Sequence, residues 1–591
     1  MADQSDESGA GITDQARDQG SADGTQAPRG MARRNFLAAG AAGVLAAVTR
    51  STTSAVAGES APGPAARAGA TCENEGAPDI ILTNGKIHTM DARNSIVSEV
   101  AIKNRRFLSV GRAPRKASCT RVVDLRGATV VPGMIEGHVH MVSLASRPGY
   151  HVVIENARNI AEVQETLAQR RKDVPDGQFI TAMGGWTPNF FAEKRLPTLK
   201  ELDAAVPDRP VFLYGGGIGR TNTLGKAWFE KQAMPVTIDA EGTAAGGQAA
   251  QHNLALYHLR VAQTFEDKRR SALDAMAYCA RVGLTANLDQ VFPPSAGPLT
   301  PRQGLAGLDN FRVYDPWLSL HREKKAFIRL QMNFLHDQND INLPELKERL
   351  KNQFQLFGDD MLMTGGIGEW GAPGDGVGPV WYEAQRLIAQ ARWRNTNRCL
   401  TLDTLEAIVA GYERVNKEFD ITGLRWSVHH LSFATPGHLN RLKAMNIGVQ
   451  SGAWRFVSGT PGNAGAPFRM IQDSGIQNGI HLDGVHVAPL NPWMGVYYAA
   501  TGVNVMGALV NDGQQITRQE AVKLYTRANA WHMNMEDRIG SIEPGKLADL
   551  AVLNRDYMTC TDEELKRIMS VMTICDGKIV HEAGPIGARR A

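Results

Sequence analysis

Val130-Val131-Pro132-Gly133-Met134-Ile135-Glu136-Gly137-His138-Val139-His140 is the stretch on which the reading of this 591-residue chain turns. An apolar run feeding two histidines reads as a strand, and on a strand residues two apart share a face. Both imidazoles therefore look the same way at the strand's end, which makes a half-site for a divalent cation. Alone, a His-x-His pair is more often incidental. Its flanks on both sides give it weight.

Upstream, residues 78–131 read as short strands separated by turns. Asp79–Thr83 and Lys86–Met90 flank Asn84-Gly85, a hairpin signal because both residues tolerate positive φ. Ser98–Lys103, Phe107–Val110, Arg121–Asp124 and Thr129–Val131 follow. The far end returns to this style, with Leu550–Leu553, Val571–Cys575, an Asp576-Gly577 turn and Lys578–His581. Two β-rich flanks around one long middle predict that the ends pair into a single small β-sandwich. Between them, strand candidates at Phe179–Met183, Val211–Tyr214, Leu284–Leu288, Ile328–Phe334, Leu362–Ile367, Arg425–Val428 and Ile447–Val449 alternate with helices such as 161–171 and 404–418. That alternation is the βα pattern of a parallel sheet, and its length favours an α/β, TIM-like (β/α)8 barrel with its chemistry at the strands' C-terminal ends. The expected organisation is a tail and signal over 1–57, a linker over 58–77, the sandwich from 78–131 and 541–591, and the barrel over 132–540.

Composition excludes several classes. With 43% hydrophobic and 21% charged residues the chain is neither disordered nor fibrous. A net charge of +3 without a basic stripe does not point to nucleic acid. Residues 1–30 have the polar composition of a solvated tail. Arg33-Arg34-Asn35-Phe36-Leu37 then opens an apolar run that ends at Val48, too short for a membrane span, which needs about 20 residues. Ala55-Val56-Ala57 offers a small-residue cleavage site, and a short retained anchor is the alternative. The paired arginines resemble a twin-arginine signal, which implies export machinery as a partner and a periplasmic or secreted protein. Six scattered cysteines without a CxxC pair indicate no zinc ribbon; most are expected to be buried thiols.

The His138/His140 stretch, with Gly540-Ser541-Ile542-Glu543-Pro544-Gly545-Lys546-Leu547-Ala548-Asp549-Leu550 near the other end, resembles the amidohydrolase superfamily. Gly184-Gly185-Trp186, Leu196-Pro197-Thr198 and the run Leu202 to Val211 are similar to its YtcJ-like branch. The resemblance implies a divalent metal, zinc foremost, held by His138, His140, His430 and Asp483, with Asp483 as general base and His430 as a second catalytic group. Three positions depart from the branch pattern. Cys399, in Cys399-Leu400-Thr401-Leu402-Asp403, stands where a histidine is usual; it either ligates as thiolate or is a small buried hydrophobe. Asp403, with Glu406 three residues on, has capping spacing. No lysine occurs in Thr364-Gly365-Gly366-Ile367-Gly368-Glu369, so Glu369 is the available carboxylate, and Gly215-Gly216-Gly217 replaces a pocket histidine before Asn222. These departures favour one metal over two, with Glu369 and Cys399 as optional ligands.

The expected function is metal-dependent hydrolysis of a carbon–nitrogen bond, of N-formyl or N-acyl type, in a small molecule, with His429 as one candidate for oxyanion support. The alternatives are a metal-dependent hydratase or lyase on the same scaffold, and a periplasmic binding protein that has lost its metal. A homo-oligomer is compatible with the sequence. Trp186, Trp370, Trp454 and Trp493 suit either an apolar pocket or the core. Gly366-Ile367-Gly368-Glu369-Trp370-Gly371 fits GxGxxG, but Pro373 and two glycines follow where a helix should open. Ser143 and Ser432 lack a nucleophile-elbow pattern.

Overall fold

The computed structural model describes residues 72, 76–142, 147–215, 218–244, 249–290, 313–351, 354–374, 376–462, 465–484, 487–584 and 586. The expected tail and paired-arginine signal, most of the 58–77 linker, Ser143, Gly216-Gly217 and the stretch 293–312 lie outside the described residues.

The two flanks build two sheets. One orders its four strands as Arg106–Val110, Val100–Lys103, Ile80–Thr83 and Arg121–Asp124. The other has six, in the order Lys578–Glu582, Ser570–Cys575, Leu550–Leu553, Thr129–Pro132, Lys86–His88 and Ile96–Val97. Leu550–Leu553 runs antiparallel to Thr129–Pro132 with Ala551 opposite Val131, so both ends of the chain share a sheet. Leu82, Val100 and Phe107 from one sheet and Ile87, Val130 and Val552 from the other form a common buried cluster. Each such side chain contributes about 1.5–3 kcal/mol by leaving water.

The hairpin expected at Asn84-Gly85 does not form. Asn84 does adopt a left-handed φ of 55°. Yet Ile80–Thr83 pairs with Val100–Lys103 and Arg121–Asp124, whereas Lys86–His88 pairs with Ile96–Val97 and Thr129–Pro132. The turn carries the chain from one sheet to the other. Leu82 and Ile87 can then pack between the sheets instead of side by side.

In the middle, Met134–Val139, Leu284–Gln290, Arg329–Phe334 and Leu362–Ile367 are parallel neighbours. Thr396–Arg398, Ser427–His429, Gly448–Gly452 and Asn478–His481 form a second parallel set. Amphipathic helices connect them, among them Phe265–Val282, Pro379–Gln390 and Leu402–Phe419. The result is an α/β fold. Among the described residues no sheet closes on itself, although single parallel bridges join Ile367 to Asn395 and Val139 to Gly484.

The candidates Phe179–Met183 and Val211–Tyr214 do not join these strands. Ile180–Met183 and Val211–Gly215 pair with Tyr150–His151 and Ile218–Thr221 in a separate sheet. Phe179, Met183, Phe212 and Phe229 give that sheet a core of its own. Two strands of the parallel sets, Thr396–Arg398 and Asn478–His481, escaped sequence reading because they are short and mostly polar.

Asp403 does not cap its helix. Thr401 does, in a capping box with Thr404, and Asp403 sits in the first turn, where the helix dipole favours an acid. Cys72 and Cys119 form a disulfide, a bridge of the kind an oxidising compartment permits, and of the four cysteines outside it Cys279, Cys399 and Cys575 are buried, as expected of most of them. A buried ion cluster ties the parallel strands to the sandwich. Arg329 donates to both Asp549 oxygens at 2.7 and 2.8 Å and to Asp576 at 3.2 Å, and Asp576 also receives Arg105.

Candidate metal centre

Every candidate ligand sits at or just beyond the C-terminal end of a parallel strand. His138 lies within Met134–Val139 and His140 follows it; Glu369 follows Leu362–Ile367, His430 follows Ser427–His429, and Asp483 follows Asn478–His481. Gly137, between Glu136 and His138, is needed for close approach, because a Cβ there would run into Gln450 Oε1 and Asn529 Oδ1. Glu136 is not a ligand. Its Oε1 accepts from the Leu482 amide at 2.8 Å and holds the His138 strand against the segment that presents Asp483. Burial raises its pKa well above the ordinary carboxylate range.

Five side chains converge. His140 Nε2 lies 3.0 Å from Asp483 Oδ1, and His430 Nε2 lies 3.0 Å from Glu369 Oε1. His138 Nε2 stands 3.7 Å from both Glu369 Oε2 and Asp483 Oδ1. Two overlapping triads, His138/His140/Glu369 and His138/His430/Asp483, bring their donor atoms within 4.8 Å of one another. His430 and Asp483 both take left-handed backbone conformations, with φ of 68° and 61°. Non-glycine residues held there concentrate at functional sites.

The residues present fit a divalent cation. His138 Nε2 is buried and has no hydrogen-bond partner, yet it points at two carboxylates. Burial, reinforced by His430 and His481, depresses its pKa well below the ordinary value, so the ring is neutral and offers a lone pair. Glu369 is 4% exposed, and among the described residues it pairs with no lysine or arginine. Buried carboxylates require compensating positive charge. For His140, burial opposes the charged form, but Asp483 and then Glu369 outweigh it and hold the pKa up at about 9. The same negative potential would attract a metal ion.

A second shell fixes the rings. His138 Nδ1 lies 2.8 Å from His429 Nδ1, and His429 Nε2 lies 2.9 Å from Ser427 Oγ. With Nε2 of His138 kept as a ligand atom, Nδ1–H donates to His429, which in turn donates to Ser427. His429 is fully buried beneath the ligand, so the expectation that it faces a substrate oxyanion is corrected to a positioning role. His140 Nδ1 contacts the Gln290 carbonyl at 2.6 Å, and the His430 amide donates to His481 Nε2 at 3.3 Å. Gln290 and His481 were not singled out from sequence; the only signal was their place at strand ends.

Cys399 is not brought to this group. Its thiol contacts the Thr401 carbonyl at 3.3 Å and the Thr404 hydroxyl at 3.7 Å, which corrects the ligand alternative in favour of the buried thiol. Asn222 is likewise structural, capping Thr223–Glu230 and accepting from the Val211 amide.

Comparison with known proteins bears on family and fold. The sequence model of a family described as "Amidohydrolase family" matches residues 121–581. The chain is 24% identical to N-substituted formamide deformylase of Arthrobacter pascens over 544 residues, 85% of this chain and 98% of that protein. Among solved structures, an uncharacterized metal-dependent hydrolase from Pyrococcus horikoshii superposes with a TM-score of 0.53 at 18% identity, covering 82% of this chain and 99% of the other. Atrazine chlorohydrolase from Arthrobacter aurescens, complexed with zinc, superposes with a TM-score of 0.50 at 14% identity, covering 86% and 97%. At these identities the two structures speak for the fold.

Proposed function

This chain belongs to the amidohydrolase family, and on that premise we propose that it hydrolyses the carbon–nitrogen bond of a small N-formyl or N-acyl amide with one zinc-class metal ion. The observation that carries the proposal is the convergence of His138, His140 and His430 with Glu369 and Asp483 around an unpartnered His138 Nε2. Three imidazoles and carboxylate oxygen are a donor set suited to zinc. Because both triads share His138, they describe one ion more simply than two. The formamide choice leans on the deformylase relative, which aligns over nearly its whole length.

The cation would polarise the amide carbonyl and lower the pKa of a water molecule. The chain's own groups do the remainder. His429 and Gln290 hold the rings of His138 and His140 so that their Nε2 atoms face inward. Asp483 takes the water's proton on a carboxylate oxygen and hands it to the departing nitrogen. The bond made is carbon to water oxygen and the bond broken is carbon to nitrogen, giving a carboxylate and an amine.

We further read the eight parallel strands as one closed barrel. The bridges at Ile367–Asn395 and Val139–Gly484 support closure, as does the gathering of all ligands at one end. Flank pairing at Ala551–Val131 supports the division into barrel and sandwich. Export to an oxidising compartment, through a twin-arginine signal, is supported by the Cys72–Cys119 disulfide. No described helix is long and apolar enough to cross a membrane.

The test is formate release from N-alkylformamides and carboxylate release from N-acetyl amines by the purified chain. The expected result is turnover that a chelator abolishes and added zinc restores. A zinc-loaded protein that cleaves none of these amides would overturn the proposal.

A further inference from the structure

Arg455 is a half-buried cation on the metal-bearing end of the fold with nothing anionic beside it. It opens the short helix Arg455–Ser458, three residues past the strand Gly448–Gly452. Its Cζ lies 4.6 Å from the ring centre of Trp454 and 5.5 Å from that of Phe433. The Trp454 ring borders the metal centre. Trp454 stands edge-on to the His430 ring at 6.2 Å, and Phe433 is three residues beyond His430 in the chain.

The chemistry of this arrangement leaves the cation without a counter-charge among the described residues. Arg455 Nε is buried without a hydrogen-bond partner, and among the described residues the guanidinium makes no ion pair. Several arginines on the outer helices are paired instead: Arg386 meets Glu418, Arg441 meets Glu406 and Glu413, and Arg469 meets Glu520. A guanidinium stays protonated even where burial works against it. Two aromatic faces stabilise its charge without using its N–H donors. What remains is a preorientated fork of donors, one ring removed from a metal ligand, and its natural complement is a carboxylate held by two parallel hydrogen bonds.

We infer that Arg455 anchors a carboxylate on the nitrogen substituent of the substrate, so that the preferred amides are N-formyl or N-acyl derivatives of amino acids rather than of neutral amines. The inference rests on the hydrolase reading and deepens it. Trp454 and Phe433 would flank the methylene chain between the amide and the carboxylate.

The test pairs substrates that differ only by the carboxylate: 6-formamidohexanoate against N-pentylformamide, and 4-formamidobutyrate against N-propylformamide. Each is assayed with the zinc-loaded wild-type chain, Arg455→Met and Arg455→Lys. Wild type is expected to favour at least one anionic member by more than tenfold in kcat/KM. Arg455→Met should lose on the order of 10- to 100-fold on that substrate, chiefly in KM, while the neutral partner changes less than twofold. Arg455→Lys should recover only part, since an ammonium lacks the fork. Equal wild-type rates within each pair, or an equal loss on both members in Arg455→Met, would overturn the inference. Calorimetric binding of 6-aminohexanoate and of pentylamine to the same proteins separates this from the hydrolase reading. A tenfold preference for the amino acid that Arg455→Met abolishes upholds the anchor even if no amide is cleaved; equal binding overturns it.

Discussion

Asp483→Asn is expected to lower kcat/KM for amide hydrolysis on the order of 10³-fold, within the range that a positioned acid–base group supplies. Asparagine keeps the shape and one oxygen, but it cannot take a proton from water at neutral pH. Asp483 is 6% exposed and lies 3.0 Å from His140 Nε2, so the change is felt where the chemistry is proposed to occur. The left-handed φ of 61° suits asparagine at least as well as aspartate, which keeps the fold out of the comparison. Far-UV circular dichroism and the unfolding midpoint should match wild type. A variant within tenfold of wild-type kcat/KM would mean that another group moves the proton.

The largest effect on stability is expected at Arg329. Its guanidinium is 1% exposed and grips both oxygens of Asp549, with a third contact to Asp576. Burial disfavours its charge, but Asp549 more than compensates and holds the pKa above the ordinary arginine value. Arg329→Met would leave Asp549 buried with its main counter-charge gone. Breaking a buried pair by removing one partner costs about 3–5 kcal/mol. The measurement is urea-induced unfolding of both proteins. A loss below about 1 kcal/mol would contradict the view that this cluster fastens the parallel strands to the sandwich. Replacing Asp549 by leucine as well should return much of the loss, because no uncompensated charge then remains.

Asp549 also explains what the chain's closing motif does. Read as sequence, the run from Gly540 to Leu550 was a mark of resemblance. In the structure its aspartate binds Arg329 and accepts from the Asp576 amide at 2.8 Å. The contact with Arg329 joins residues 220 positions apart, and no local pattern encodes it. Local signals served better. The His138/His140 strand, the helices Ile160–Arg171 and Leu402–Phe419 and most sandwich strands could be placed from periodicity and turn residues. Local signals failed where two partners competed: Asn84-Gly85 has the chemistry of a hairpin, yet inter-sheet packing claimed its strands. They failed too at Phe179–Met183, whose apolar run says strand without saying which sheet. Among the site residues, His138 and His140 announced themselves by spacing. Gln290 and His429 act through ring nitrogens of other residues, and Arg455 only through what it lacks, so none of the three carries a motif.

The central claim is that His138, His140, His430, Glu369 and Asp483 hold one catalytic metal ion. Elemental analysis of protein purified without chelator tests it most directly. The account predicts about one zinc-class ion per chain, lost in His138→Ala while the fold persists, because His138 belongs to both triads. A correctly folded chain that binds no metal when zinc is supplied, or a His138→Ala variant that keeps a full complement, would contradict it.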